Sequence, residues 1–506
     1  MPVCNPPRAS SLIGQTSTSC LQKFTIHFRR PNKLKEKSNY SYRGEYGFDW
    51  LRDEYIYPII KVEYDQFKKF KPSACIPLCR SDNIIALKNV YLKGIQKEHK
   101  IKPHGQDYYP AWLSIFACNV TAEGANRDAG STMHNKGIYL DLQLDEIDKI
   151  IDDGTEIIFK PSKPCLKITP NNIPIQKFLE TSKKNRILNN NIDKPPVINY
   201  YLLKNAVKIM CQGNTLKQHE TIKVFAKLGS KECEVGQLMV YQNNSVPKAN
   251  IVVVNVITEY DKNNNKIPLE THQSFEYIFK FQSFNQAMIR AEVGAKHDFD
   301  LVDLGNKYSD VKQFLDDIKN KNYMNSLKID PKTHKKIDSA IDIRNRLRDL
   351  YEKYGKHAPK PVGTKINHAG HYNTYLLFTK LSPQGEKGGH TLGISDLQPN
   401  PKTKNNEWGN ILVIFQGGLK DSHTIVHEAA HTFTLPHIFE TDTALNNKPI
   451  FHQGYTENYM DYAWHPNSAN YSSWSYNIYE KKMHSFFKWQ WDMMRNDKKS
   501  IKFPKK

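Results

Sequence analysis

"HEAAHTFTLPH", residues 427–437, places three histidines and one glutamate within a single short stretch, and its reading decides what the C-terminal half of the chain is built around. His427 and His431 are four apart, so one helical turn brings both imidazoles to the same face. Neutral imidazole is a preferred zinc ligand, and a catalytic zinc takes three protein ligands and keeps one position for water. Glu428 follows the first histidine and would lie beside that water as its general base, since zinc lowers the water's pKa. The third ligand has to come from beyond the helix. Pro436 disfavours helical geometry at Leu435, so the helix is expected to end near Thr434, and the chain can then turn back and bring His437 to the metal. With this chain's own His and Glu frequencies, such a constellation arises by accident in roughly one chain in a thousand. A plain amphipathic core helix would leave Glu428 and His437 unexplained.

Outward from this stretch, "NILVIFQ" (410–416) reads as a strand, two glycines leave it, and Asp421 or Ser422 can cap the helix. Downstream lies "ENYMDY" (457–462). Taken together, His427, Glu428, His431 and His437 resemble the extended zinc motif of the metzincin metallopeptidases, HExxHxxGxxH. Metzincins carry a methionine turn beneath the metal, and Met460 stands in the matching place. In the astacin- and serralysin-like branches a tyrosine two residues further on approaches the zinc, which matches Tyr462. "LPHIF" is also similar to the pappalysin-like branch. The resemblance implies one catalytic Zn2+ held by His427, His431 and His437, with Glu428 and Tyr462 as catalytic residues and no other cofactor. It also implies that the strand before the helix, "NILVIFQGG", pairs with an extended substrate by β-augmentation, although the same residues read nearly as well as an interior strand.

One position departs from the family pattern. Thr434 stands where the family has a glycine, and a β-branched residue at positive φ is an outlier. Either the turn is built differently or His437 is not a ligand. "ENYMD" also reads as the ExxxD of thermolysin-like gluzincins, in which Glu457 would replace His437 as the third ligand and Asp461 would orient a histidine.

The whole chain has 506 residues, enough for two to four domains, and 39% hydrophobic content, enough for packed cores. The formal charge of +20 invites acidic partners. Many lysines, however, lie in Lys/Asn-rich stretches such as "TSKKNRILNNN", so a solvated basic surface is expected and no specific nucleic acid. No apolar run is long enough to span a bilayer. The first twenty residues lack a basic n-region and an apolar h-region, so no secretory signal is expected; the protein would stay in the cytoplasm or leave by a signal-independent route. All eight cysteines (4, 20, 75, 79, 118, 165, 211 and 233) precede residue 234, and no pairing can be deduced from their spacing.

The expected architecture is multidomain: N-terminal all-β, β-sandwich-like modules followed by an α/β (α+β) metzincin-like zinc peptidase domain. Residues 1–20 would be flexible, 21–180 a β-sandwich-like domain, 181–197 a linker, 198–248 a second small β module, and 249–506 the catalytic domain. "IYLDLQLD" has the period-two alternation of a half-buried strand, and "SDVKQFLDDIK" the stripe of a helix capped by Ser309. "YNIYEKKMHSFFKWQWDMM" reads as a final amphipathic segment. "GEYGFDWLRDEY" (44–55) and the modules after it resemble the non-catalytic halves of bacterial chains associated with type VI secretion, which implies an exported effector and secretion-apparatus partners. Competing with a peptidase acting on protein or peptide substrates is a structural or adhesive component with a purely structural zinc; Glu428 favours the enzyme, since a structural site needs no base. His368, His371, His390, His423, His452 and His465 lack the context of ligands, and Cys4 is a weak match to an inhibitory thiolate latch.

Overall fold

The computed structural model describes residues 19–31, 41–63, 74–121, 129–325, 328–329, 336–362, 364–366, 372–384, 390–399, 406–440, 448–466, 474–480 and 482–504. Cys4, most of the 1–20 segment, His368 and His371 lie outside them.

The first half of the chain builds one mixed sheet of 12 strands. Ten of them are β1 (Phe24–Arg29), β2 (Gly47–Asp49), β3 (Ala111–Ser114), β4 (Ile138–Glu146), β5 (Glu156–Pro161), β6 (Asn172–Pro174), β7 (Lys184–Ile187), β8 (Val197–Gln212), β9 (Glu220–Leu228) and β10 (Lys231–Val240). The main path runs β6-β5-β9-β10-β1-β4-β8-β7. Strands from 21–180 therefore alternate with strands from 198–248, and the two expected β units are joined in a single hydrogen-bonded sheet. Lys184–Ile187, expected within a linker, pair antiparallel with Val197–Tyr200 of β8.

The alternation in β4 is real, but its polar side is covered too. Ile138, Leu140, Leu142 and Leu144 join Phe24, Ile26 and Phe28 in an apolar core. Asp141, Gln143 and Asp145 are also buried. They are satisfied locally: Arg29 Nε donates to Gln143 at 3.0 Å, Arg186 Nη2 to Asp145 at 2.5 Å, and Asn205 N to Asp141 at 2.7 Å. Buried polar groups persist when so paired.

The second half is α/β. Its six-stranded sheet contains β11 (Lys248–Ile257), β12 (Arg290–Asp300), β13 (Asn373–Phe378), β14 (Gly393–Pro399) and β15 (Asn406–Ile414), in the order β12-β11-β13-β15-β14. Ile501–Lys502 add a short antiparallel pairing to β11. β12, β11, β13 and β15 run parallel, and β14 is antiparallel to β15. Val252, Val254, Tyr375, Leu377, Ile411 and Val413 pack one face against α1 (Ser309–Lys319) and α2 (Ser339–Tyr354). The opposite face carries α3 (Ser422–Thr432). Ser309 is the first residue of α1 rather than its cap; Tyr308 holds that place without a side-chain bond. Among the described residues of the final amphipathic stretch, the helix is α4, Lys488–Arg495.

Asn410–Ile414 of "NILVIFQGG" lie in β15, which is interior, between β13 and β14, so the interior reading of that stretch holds and the substrate-pairing edge expected there does not; the edge on this side is β14. A third apolar cluster joins the two halves. It contains Tyr55, Leu78, Leu87, Tyr91 and Trp112 from the N-terminal half with Ile425, Phe433, Phe451, Met460, Phe487 and Trp491.

Candidate metal centre

α3 starts where Asp421 caps it, its carboxylate accepting from His423 N at 3.1 Å and from Thr424 Oγ1 at 2.5 Å. Ile425, Val426, Ala429 and Ala430 are buried against the sheet, which leaves a second stripe for His427 and His431. The helix ends at Thr432, and two reverse hydrogen bonds close it: Thr434 N to His431 O at 2.9 Å and Leu435 N to Ala430 O at 3.2 Å. This is the Schellman arrangement, which requires a left-handed residue in the middle. Thr434 supplies it with φ 70°. The turn a glycine would make is therefore made by a threonine, and it returns the chain so that His437 meets the helix.

The ligand atoms of His427, His431 and His437 all lie within 4.8 Å of one another. Nε2 of His427 is 3.0 Å from Nε2 of His437. Two zinc–nitrogen bonds at a tetrahedral angle would set their nitrogens about 3.3 Å apart. The far side of each ring is engaged. Nδ1 of His427 donates to the Tyr459 carbonyl at 2.7 Å, and Nδ1 of His431 to the Leu435 carbonyl at 2.6 Å. Those bonds assign the proton to Nδ1 and leave the Nε2 lone pairs facing the common point. Glu440 Oε1 lies 2.7 Å from Nδ1 of His437. Burial, and then the neighbouring imidazoles, hold His427 and His431 well below the ordinary histidine value, so both rings stay neutral.

The surroundings are aromatic and dry. Trp408 stacks on His431 with ring centroids 3.9 Å apart. The register between β14 and β15 slips between Ser395, opposite Leu412, and Leu397, opposite Trp408; such bulges re-aim side chains. Met460 is fully buried below, and its carbonyl accepts from Ile438 N at 3.2 Å. The Tyr462 ring lies 4.9 Å from His437 and 5.9 Å from His427. Burial and the Glu440 and Glu428 carboxylates hold its hydroxyl above the usual tyrosine value.

Ser395 Oγ on β14 lies 2.6 Å from the Glu428 carbonyl oxygen and 2.8 Å from Glu428 Oε2, and its one proton is shared between these two acceptors. Burial lifts the Glu428 carboxyl to about 7, against the opposing pull of Ser395 and of nearby cationic side chains. β14 can come this close because Gly393 has no side chain: a Cβ there would stand 2.8 Å from Glu428 Cγ and 3.0 Å from Ile414 and Thr424. Arg344 on α2 holds the same strand, donating to Ser395 O at 2.6 Å.

The alternative ligand is placed elsewhere. Glu457 does not join the three histidines. It is held by Arg30 at 2.5 Å, by Arg52, and by Ser485 Oγ at 2.8 Å, and the two guanidiniums draw its carboxyl down to about 2 against the cost of burial. Asp461 orients no histidine. Its carboxylate accepts from Gly454 N (2.7 Å), Thr456 N (2.9 Å), Thr456 Oγ1 (2.8 Å) and Tyr462 N (2.9 Å), fixing the loop before the methionine.

Of the other histidines, His390 bonds Ser382 at an exposed site and His423 packs on Tyr459. Cys20, Cys75, Cys79, Cys118, Cys165, Cys211 and Cys233 are free thiols. Sequence reasoning had missed Gly393, Ser395, Trp408, Glu440 and the Arg30–Arg52 pair. Only Glu440, three residues after His437, carried a local signal. In comparisons with known proteins, the chain matches no protein-family model and no curated protein.

Proposed function

We propose that this chain is a zinc-dependent endopeptidase of metzincin type. One observation carries the reading: three imidazoles from α3 and the turn after it converge on one point, with Glu428 on the same helix. Their chemistry fits zinc, since all three are nitrogen donors and at least two have their outer nitrogens tied. When bound, zinc supplies Lewis acidity, making a water and a substrate carbonyl more reactive.

The chain's own groups do the rest. Glu428 has Oε2 engaged by Ser395, so Oε1 is the atom that takes a proton from the attacking water and passes it to the leaving amine. The Tyr462 hydroxyl, kept protonated by burial, donates to the oxyanion that develops on the substrate carbonyl. An extended peptide is held along β14, the sheet edge beside Ser395 and Glu428, by backbone hydrogen bonds. A structural or adhesive role for the zinc would leave Glu428 and its serine without a task. No described helix is long and apolar enough to cross a membrane. The resemblance of residues 44–55 to type VI-associated chains favours action as an exported effector.

His437→Ala tests the ligand set. Wild type is expected to hold one equivalent of zinc and the variant almost none, measured by metal analysis after dialysis. Stoichiometric zinc in His437→Ala would remove it from the ligand set.

A further inference from the structure

The rear of the loop that carries Tyr459, Met460 and Tyr462 is covered by the N-terminal half of the chain. Arg30, just beyond β1, donates from Nη2 to Glu457 Oε2 at 2.5 Å and from Nη1 to Ser485 Oγ at 2.9 Å. Arg52 donates from Nη2 to Glu457 Oε1, which also accepts from Ser485 Oγ at 2.8 Å. Both guanidiniums lie over the indole of Trp50, at 3.9 Å for Arg52 and 5.5 Å for Arg30. The charged side chains are nearly dry, with exposures of 13% for Arg30, 6% for Arg52 and 8% for Glu457.

Other contacts hold the same region. Glu63 N donates to the Tyr455 hydroxyl at 2.7 Å, His452 N to Leu78 O at 2.9 Å, and Arg80 N to Ile450 O at 2.8 Å. Tyr55 packs edge-on against Phe451 and Phe487, with centroids 5.1 and 5.7 Å away. Apolar packing of this kind would be enough to attach one half to the other. A buried Arg–Glu–Arg triad adds little net stability, because three charges must be desolvated; what it can add is a fixed geometry. Each oxygen of Glu457 meets a separate guanidinium, and Tyr459, two residues on, offers the carbonyl that fixes the ring of His427.

We propose that Arg30 and Arg52 are positioning residues of the metal centre, acting through Glu457 on the 457–462 loop. The N-terminal half is then a component of that centre and not a module that merely carries it. The inference rests on reading His427, His431 and His437 as a zinc site.

The test uses the full-length chain loaded with Zn2+ or with Co2+ as a spectroscopic substitute. Glu457→Gln and Arg52→Met are expected to weaken zinc, in competition with a chromophoric chelator, about 10- to 100-fold, the usual cost of losing a group that orients a ligand. The visible Co2+ bands should shift in both. Arg52→Lys keeps the charge but loses the fork, so it should recover part of the affinity. Leu142→Ala, which destabilises the N-terminal core away from the loop, should leave affinity and bands unchanged. If Glu457→Gln does not fold, Arg30→Lys at the more exposed arm gives the same reading in milder form. Wild-type affinity and bands in the folded triad variants would overturn the inference while leaving the zinc site standing, and so would an equal loss in Leu142→Ala. A wild-type chain that takes up neither metal would overturn the zinc reading itself, and this inference with it.

Discussion

Thr434 holds a backbone conformation that a β-branched side chain tolerates poorly, at the one place where the motif needs the chain to reverse. A non-glycine residue in the left-handed region costs on the order of 1–3 kcal/mol, sustained by surrounding structure. Here the surrounding structure is the pair of hydrogen bonds to His431 and Ala430 and the burial of Leu435. Thr434→Gly is therefore expected to stabilise the fold by about 1 kcal/mol in chemical denaturation, with zinc affinity kept. A loss of stability would mean that the threonine makes a contact worth more than its strain. The resemblance to the metzincin pattern already marked this residue, because that pattern has a glycine at its position. It could not say whether the threonine makes that reversal or prevents it, since the answer depends on what else binds the turn.

At the scale of elements, local signals were legible in part. β4 forms where the period-two pattern stood and Asp421 caps α3, but the cap expected of Ser309 is absent, because α1 begins at that residue. Strand order was not legible, because it depends on partners distant in the chain. The more apolar β15 is interior and "ISDLQ" in β14, with little hydrophobic pattern, is at the edge, but which strands flank β15 could not be read from either stretch. Lys184–Ile187 likewise has no strand signature and is recruited by β8. The close approach of β14 to α3 is a second long-range feature, and it hangs on Gly393. Gly393→Ala places a methyl group 2.8 Å from Glu428 Cγ, so either the strand or the glutamate must shift. Turnover on a general protein substrate is expected to fall about tenfold or more, as small misplacements of reacting groups do. Zinc content should not change. An unaltered rate would mean that the strand yields freely and that Ser395 does not hold Glu428 in place.

In the whole molecule, the two halves meet at the 457–462 loop, and the ion pairs that join them span 427 and 405 residues of sequence, which is why Arg30 and Arg52 gave no local sign. Their carboxylate makes a prediction about acid stability. Glu457 titrates near 4.5 when unfolded and near 2 in the fold, so its contribution is complete above about pH 4.5 and is lost as the pH falls through 2. The shift corresponds to about 3 kcal/mol. Asp49 and Asp461, lifted to about 6 by burial, act in the opposite sense but equally in wild type and variant. The stability of wild type over Glu457→Gln should therefore be constant from pH 7 to about 5 and shrink below it, read from urea midpoints. A difference that does not change with pH would contradict the triad's charge. In the proposed function, the histidine cluster holds zinc for hydrolysis and Glu428 moves the proton. The most direct measurement takes wild type and Glu428→Gln, each reconstituted with zinc, and determines metal content and hydrolysis of a general protein substrate on the same preparations. Equal zinc, about one per chain, with hydrolysis reduced at least 100-fold in the variant, is the predicted result; comparable hydrolysis by both, or none by zinc-loaded wild type, would contradict it.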